Sequence, residues 1–163
     1  MTDRLLTILT LVTAIGCGLI GGVFFAFSTF VMAALGRLSP PQGIAAMQSI
    51  NVFAVTPWFM SALFGTAIAC IVLAVVAVLH WQEPGAALLL AGGALYVVGA
   101  IVVTMAFNVP LNDALAAANP ASPEGATLWT RYLTEWTGWN HVRTVASLLA
   151  SAALIAALLR KGW

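Results

Sequence analysis

Four predominantly apolar runs alternate with short polar connections along this chain, near Leu5–Leu35, Pro57–Leu79, Ala86–Phe107 and Asn140–Leu159. A hydrocarbon core about 30 Å thick needs about 20 helical residues to cross it, so each run predicts a membrane-spanning helix. The first run opens like a signal peptide, with Arg4, an apolar stretch and Ile15-Gly16-Cys17. It then continues through Phe24, Phe25, Phe27 and Phe30 to Leu35, well beyond a cleaved apolar region, and predicts an uncleaved first span. The expected fold is an all-α membrane protein, a single domain over 1–163. It is a four-transmembrane-helix bundle with short extramembrane helices in the two longer loops.

The connections differ in character. His80-Trp81-Gln82-Glu83-Pro84-Gly85 is short and has no Lys or Arg, whereas Arg4 lies at one end of the chain and Arg160 and Lys161 at the other. The positive-inside rule therefore predicts both termini in the cytoplasm, although Arg37, Arg131 and Arg143 on the other side weigh against it. The longer connections, 36–56 and 108–139, then lie on the outer face. Pro40-Pro41-Gln42-Gly43 starts a helical pattern with Ile44, Met47, Ile50 and Phe53 on one side. Pro110 is expected to end or kink the third span. Asn119-Pro120-Ala121-Ser122-Pro123 is a break, after which Ser122-Pro123-Glu124 opens a pattern running towards the fourth span. Gly18 and Gly22, with Ala26 one turn on, form a small-residue face suited to close helix approach, as do Gly92, Gly93, Gly99 and Ala100.

Composition narrows the function classes. The chain is 62% hydrophobic and 7% charged with a net charge of +1, which excludes the electrostatic footprint of a nucleic-acid binder. Cys17 and Cys70 both lie inside apolar runs and read as small packing residues. No CxxC, HExxH, GxGxxG or P-loop spacing occurs.

Against this apolar background, the polar residues of the last third gain weight, because ionisable groups at membrane depth are costly and mark candidate sites. Trp129, Tyr132, Trp136, Asn140 and Arg143 recur at three- and four-residue steps and share one helical stripe. His141 is offset from Asn140 by about 100°, and Thr137 lies one turn before it, placed to orient its ring. Asn108 and Asn112 are four apart and share a face if the turn at Pro110 stays helical. In the first loop Gln48 and Asn51 are three apart. Plainer readings stand beside these. Trp81 and Trp163 read as interfacial anchors, and Trp129, Trp136 and Trp139 divide evenly between anchoring and lining a pocket. Each asparagine taken alone reads first as a cap or interhelical glue. Arg143 could snorkel to headgroups. His80, beside the Pro-Gly turn, reads as structural. His141, next to Asn140 and near Arg143, fits a general base whose charge is held down by a cation and partial desolvation. One His with scattered Asn and the single Asp113 is a poor metal-ligand set, so no metal site is expected.

The stretches Gly22-Val23-Phe24-Phe25-Ala26-Phe27-Ser28-Thr29-Phe30-Val31-Met32, Ala46-Met47-Gln48-Ser49-Ile50-Asn51, Asn108-Val109-Pro110-Leu111-Asn112 and Trp136-Thr137-Gly138-Trp139-Asn140-His141-Val142-Arg143-Thr144 resemble the anthrone oxygenase-like family of small membrane proteins. The resemblance spans nearly the whole chain. It implies a four-helix membrane bundle and, for fungal relatives, oxidation of a polycyclic anthrone to an anthraquinone with dioxygen.

The leading expectation is an integral membrane oxygenase acting on a hydrophobic aromatic small molecule. Its catalytic set is His141 as base with Arg143, Asn140, Asn108 and Asn112 holding an oxyanion. The substrate wall is Trp129, Tyr132, Trp136 and Trp139, with Asn51 and Gln48. Cofactor-free chemistry is favoured, since an electron-rich carbanion can pass an electron to dioxygen; a haem on His141 is the minority alternative. Expected partners are the lipid bilayer and the small molecule, with a homo-oligomer left open. The expected location is a bacterial inner or plasma membrane. The alternative is a non-catalytic protein that binds a lipid or quinone-like ligand, or an accessory subunit of a membrane complex.

Overall fold

A computed structural model describes residues 3–160. Every regular element among them is helical: α1 (Asp3–Leu35), α2 (Pro40–Ala54), α3 (Pro57–Leu79), α4 (Ala86–Ala117) and α5 (Pro123–Arg160). Four of these, all but α2, are long and apolar enough to cross a membrane. The protein is an all-α membrane bundle. Lys161 and Trp163, expected as a cytoplasmic charge and an interfacial anchor, lie outside the described residues.

Local chemistry sets the helix ends. The Thr56 side chain accepts the Phe59 N–H at 3.3 Å and Pro57 occupies the first turn, so α3 starts where an N-cap followed by proline places it. Gly85 turns the chain between α3 and α4 at φ +89°, a left-handed value that favours glycine. Asn119 and Ser122 shape the break before α5: Asn119 Oδ1 accepts from the Ala121 N–H, and Ser122 Oγ accepts from the Gly125 N–H, both at 3.0 Å.

Three helices outrun the bilayer. At 1.5 Å per residue the 38 residues of α5 extend about 57 Å, well past a core about 30 Å thick. The C-terminal ends of α1 and α4 and the N-terminal half of α5 project on one side, where α2 packs across them. The second loop carries its short helix, Val109–Ala117, as a continuation of α4. Its residues extend α4 and α5, with the break confined to 118–122. Pro110 does not end α4. A π-helical turn at Thr104–Asn108 comes just before it, and the helix continues to Ala117. The wider turn moves aside the carbonyl that a proline ring would otherwise strike. Two further π segments occur, Val97–Val102 earlier in α4 and Phe27–Val31 in α1, where the Met32 N–H reaches back five residues to the Phe27 carbonyl.

Two apolar cores result. The transmembrane core gathers Cys17, Ile20, Phe24, Leu63, Cys70, Leu73, Tyr96, Ala100 and Leu154. The projecting core gathers Met32, Leu35, Ile44, Met47, Leu111, Leu115, Trp129, Tyr132 and Trp136. Cys17 and Cys70 are free thiols, both buried, with sulfurs 3.8 Å apart. The small-residue face of α1 includes Gly18, whose Cβ position lies 3.4 Å from Ser151 Oγ on α5, but not Gly22. Gly22 is exposed and open space lies where its Cβ would be. Gly21 instead takes the close contact, its Cβ position 3.0 Å from Leu148 on α5, and Gly99 of α4 lies directly against Ala146.

Candidate functional site

The stripe on α5 faces inward along its whole length. Trp129, Tyr132, Trp136, Asn140 and Arg143 are all buried. Near the top, Trp129, Tyr132 and Trp136 form a ladder of near-parallel rings, with centroid spacings of 5.7 and 5.8 Å and interplanar angles of 16° and 17°. The ladder can pass this close to α2 because Gly43 has no side chain: a Cβ there would lie 2.8 Å from the Trp129 ring. Asn112 of α4 ties the ladder together. Its Oδ1 accepts from the Tyr132 hydroxyl at 2.7 Å and from Trp136 Nε1 at 2.8 Å. Asn51 lies beside the same tyrosine hydroxyl. Gln48 donates from Nε2 to the carbonyls of Leu115 and Ala118, which fastens α2 over the end of α4.

One turn further into the bundle the stripe becomes polar. Asn140 Nδ2 donates to the Phe24 carbonyl and to Ser28 Oγ, each at 2.7 Å. Its Oδ1 accepts from Arg143 Nη2 at 2.7 Å. Arg143 Nη1 donates to Thr104 Oγ1 at 3.1 Å, and Thr144 Oγ1 lies 3.0 Å from Ser28 Oγ. The guanidinium sits between two aromatic faces, 4.3 Å from the Phe24 centroid and 4.9 Å from that of Trp136. Asn108 Nδ2 donates to the Trp136 carbonyl at 3.2 Å. Two of the three π segments fall on this cluster: one contains Ser28, and another contains Thr104 and Asn108. Such turns re-aim side chains and recur at functional sites.

The cage is incompletely satisfied. Arg143 is 5% exposed, yet its contacts are neutral oxygens and π faces. Among the described residues the ion pair found joins Arg131 to Glu135, on the exposed side of α5. Arg143 Nε, Asn108 Oδ1, Thr137 Oγ1 and Ser147 Oγ are buried without a partner among the described residues. A buried cation without a counter-charge is strongly disfavoured, and buried polar atoms are normally paired. A buried cation with a free N–H donor, and a free carbonyl acceptor on Asn108, are thus left unpartnered in one cluster among the described residues.

His141 lies apart from this arrangement. Its side chain is exposed, because two residues along a helix turn it about 200° from Arg143, away from the cage. The expected pairing of His141 with a desolvating pocket and a neighbouring cation is therefore not formed. Thr137, expected to orient its ring, has no hydrogen bond to it. Trp139 also leaves the stripe. It is half-buried and stacks on Phe107 at the bundle's flank, with centroids 3.6 Å apart. The stripe reading missed Phe24, Ser28, Thr104 and Thr144. A signal existed for three of them, since a Ser or Thr four residues from an asparagine (Thr104 and Asn108, Thr144 and Asn140), or set among phenylalanines (Ser28), is polar at membrane depth.

Fold and site together define a small helical membrane protein that encloses, beneath an aromatic ladder, an arginine with no carboxylate partner among the described residues. The chain belongs to the anthrone oxygenase family, whose sequence model matches residues 53–153. That span includes Asn108, Asn112, the ladder, Asn140 and Arg143. Comparisons with curated proteins and with solved structures return no match.

Proposed function

We propose that the protein is an integral membrane oxygenase that oxidises a hydrophobic, anthrone-like ring ketone with dioxygen, and that Arg143 is the group that holds the developing oxyanion. The supporting observation is the buried guanidinium of Arg143, with no carboxylate beside it among the described residues and with Nε unpartnered. Family membership points to the same chemistry.

The ring ketone is a carbon acid. Loss of a proton to water gives an enolate whose oxygen carries most of the charge. Arg143 and the cage it shares with Asn140 favour that anion over the neutral ketone, and such preorganised donors act strongly where water is excluded. The electron-rich enolate passes one electron to dioxygen. Recombination forms a C–O bond at the former CH2 carbon, and loss of water from the resulting hydroperoxide leaves a second carbonyl. Overall, one CH2 and one O2 give one C=O and one H2O. Asn112 keeps the Trp136 indole in place above the cage through its bond to Nε1. Asn108 Oδ1 is free to accept a hydrogen bond from a ligand hydroxyl.

His141 is not part of this set, since its side chain points outward. The site lies towards the side opposite the His80–Gly85 turn. With both termini in the cytoplasm, as the distribution of basic residues predicts, that side is the outer face. The test is oxygen uptake by the purified protein in lipid nanodiscs with anthrone as probe. Anthraquinone formed in equal amount to the oxygen consumed, and reduced by about a hundredfold or more in Arg143→Met, is the expected result. Saturable binding of anthrone without oxygen uptake would instead make the protein a binder of such ligands.

A further inference from the structure

Phe107 of α4 and Trp139 of α5 lie flat against each other across the seam between the two helices, 3.6 Å apart and 8° from parallel. Both are at the surface of the bundle: Phe107 is 39% exposed and Trp139 half-buried. Each directly precedes a fully buried asparagine, Asn108 and Asn140. The stack is therefore level with the arginine cage and on its outward side.

The other sides of the cage are fastened by hydrogen bonds to backbone or to fixed side chains. Asn140 joins α5 to α1 through the Phe24 carbonyl and Ser28. Gln48 fastens α2 to the end of α4, and Asn112 holds the ladder above. At Phe107 and Trp139 the surface of the seam is closed by dispersion between two rings, which can rotate apart without orphaning a polar group. Asn112 ties α4 to α5 above the stack at 2.7 and 2.8 Å, but directly behind the stack the bonds across the seam are longer, Arg143 to Thr104 at 3.1 Å and Asn108 to the Trp136 carbonyl at 3.2 Å. A ligand oxygen arriving there would compete for those same donors. Phe107 also belongs to the π turn Thr104–Asn108, where the helix departs from regular α bonding.

We propose that the Phe107–Trp139 stack is a lateral gate, through which a flat hydrophobic ligand passes directly between the bilayer and the Arg143 cage. The proposal rests on the oxyanion-holding reading of that cage. An apolar polycycle partitions into lipid and reaches this flank without crossing water. Each ring can exchange its stacking partner for the ligand as the seam opens, so the passage never exposes a bare aromatic face. Closing the stack behind the ligand seals the cage from the headgroup region.

The test follows exchange of 1-hydroxyanthraquinone, a coloured flat probe, by stopped flow in nanodiscs. Phe107→Ala should raise the association and dissociation rate constants together, about tenfold, the factor expected for losing one aromatic pair, with Kd little changed. Phe107→Leu, which keeps an apolar side chain and loses the stack, should act in the same direction and serves if the alanine variant does not fold. Phe107→Cys with Trp139→Cys, bridged by a short cleavable bis-thiosulfonate, should block exchange until the bridge is reduced. Unchanged rates in all these forms would overturn the gate while leaving the cage intact. Failure of the probe to bind the unmodified protein, or binding indifferent to Arg143→Met, would overturn both.

Discussion

Arg143→Met separates a functional arginine from a structural one, because the first reading predicts little change in stability and the second a large loss. Removing the guanidinium leaves Asn140 Oδ1 without its donor, at a cost of about 1–3 kcal/mol for an orphaned buried acceptor. It also forfeits two cation–π contacts, each worth roughly 1–2 kcal/mol when desolvated. Against this, the substitution removes a buried charge whose desolvation costs several kcal/mol and which no carboxylate offsets among the described residues. Methionine retains an unbranched apolar stem and can lie between the Phe24 and Trp136 rings, with sulfur–aromatic contacts as partial compensation. The opposing contributions are of similar size, so the melting temperature in detergent should move little in either direction. Activity should fall about 10²–10³-fold in kcat/KM, the usual effect of removing one oxyanion-holding donor. Arg143→Lys should recover part of the loss, since an ammonium supplies charge without the planar fork. Oxygen uptake with anthrone, alongside thermal melting of the same preparations, is the assay. A large drop in melting temperature for Arg143→Met would show that the arginine is there to hold α4, α5 and α1 together. Unimpaired oxygen uptake in a folded variant would refute the oxyanion role.

Other substitutions test the supports around it. Asn112→Leu should destabilise the protein by about 1–3 kcal/mol, because it orphans Trp136 Nε1 and leaves the Tyr132 hydroxyl with Asn51 alone. Tyr132→Phe should cost less, and the double variant should fall short of the sum of the two in detergent melts. Gly43→Ala should cost about 1–3 kcal/mol by forcing the Trp129 ring aside, whereas Gly22→Ala, facing open space, should be neutral or slightly stabilising. His141→Ala should leave anthrone-dependent oxygen uptake within about twofold, as for other exposed substitutions away from a site; loss of turnover in a folded His141→Ala protein would restore His141 as the base. A cysteine at Gln82 should resist an impermeant maleimide in intact cells and one at Ser122 should react, and the opposite pattern would invert the orientation.

The bundle could be read from the chain because a bilayer imposes a coarse rule: about 20 consecutive apolar residues per crossing, with backbone bonds satisfied inside each helix. The α5 stripe could be read for a similar reason, since three- and four-residue spacing places Trp129, Tyr132, Trp136, Asn140 and Arg143 on one face of any α-helix. Spacing does not say which neighbours that face meets. Only packing against α1 gave Asn140 the Phe24 carbonyl and Ser28 as partners, more than a hundred positions away in sequence. Packing also turned Arg143 inward and left His141, two residues earlier, outside. Gly18 and Gly22 have the spacing of a contact pair, yet the rotation of α1 put Gly18 and Gly21 against α5 and left Gly22 facing open space. Pro110 looked like a stop because a proline ring clashes with the carbonyl four residues back in regular α-helix. The π turn before it removes that clash, and the same turn carries Thr104 and Asn108, which meet Arg143 and the Trp136 carbonyl. Hydropathy and periodicity are properties of a single helix. The rotation of each helix about its axis, its departures from α geometry and the pairing of its polar groups are settled between helices, where buried donors and acceptors must find one another.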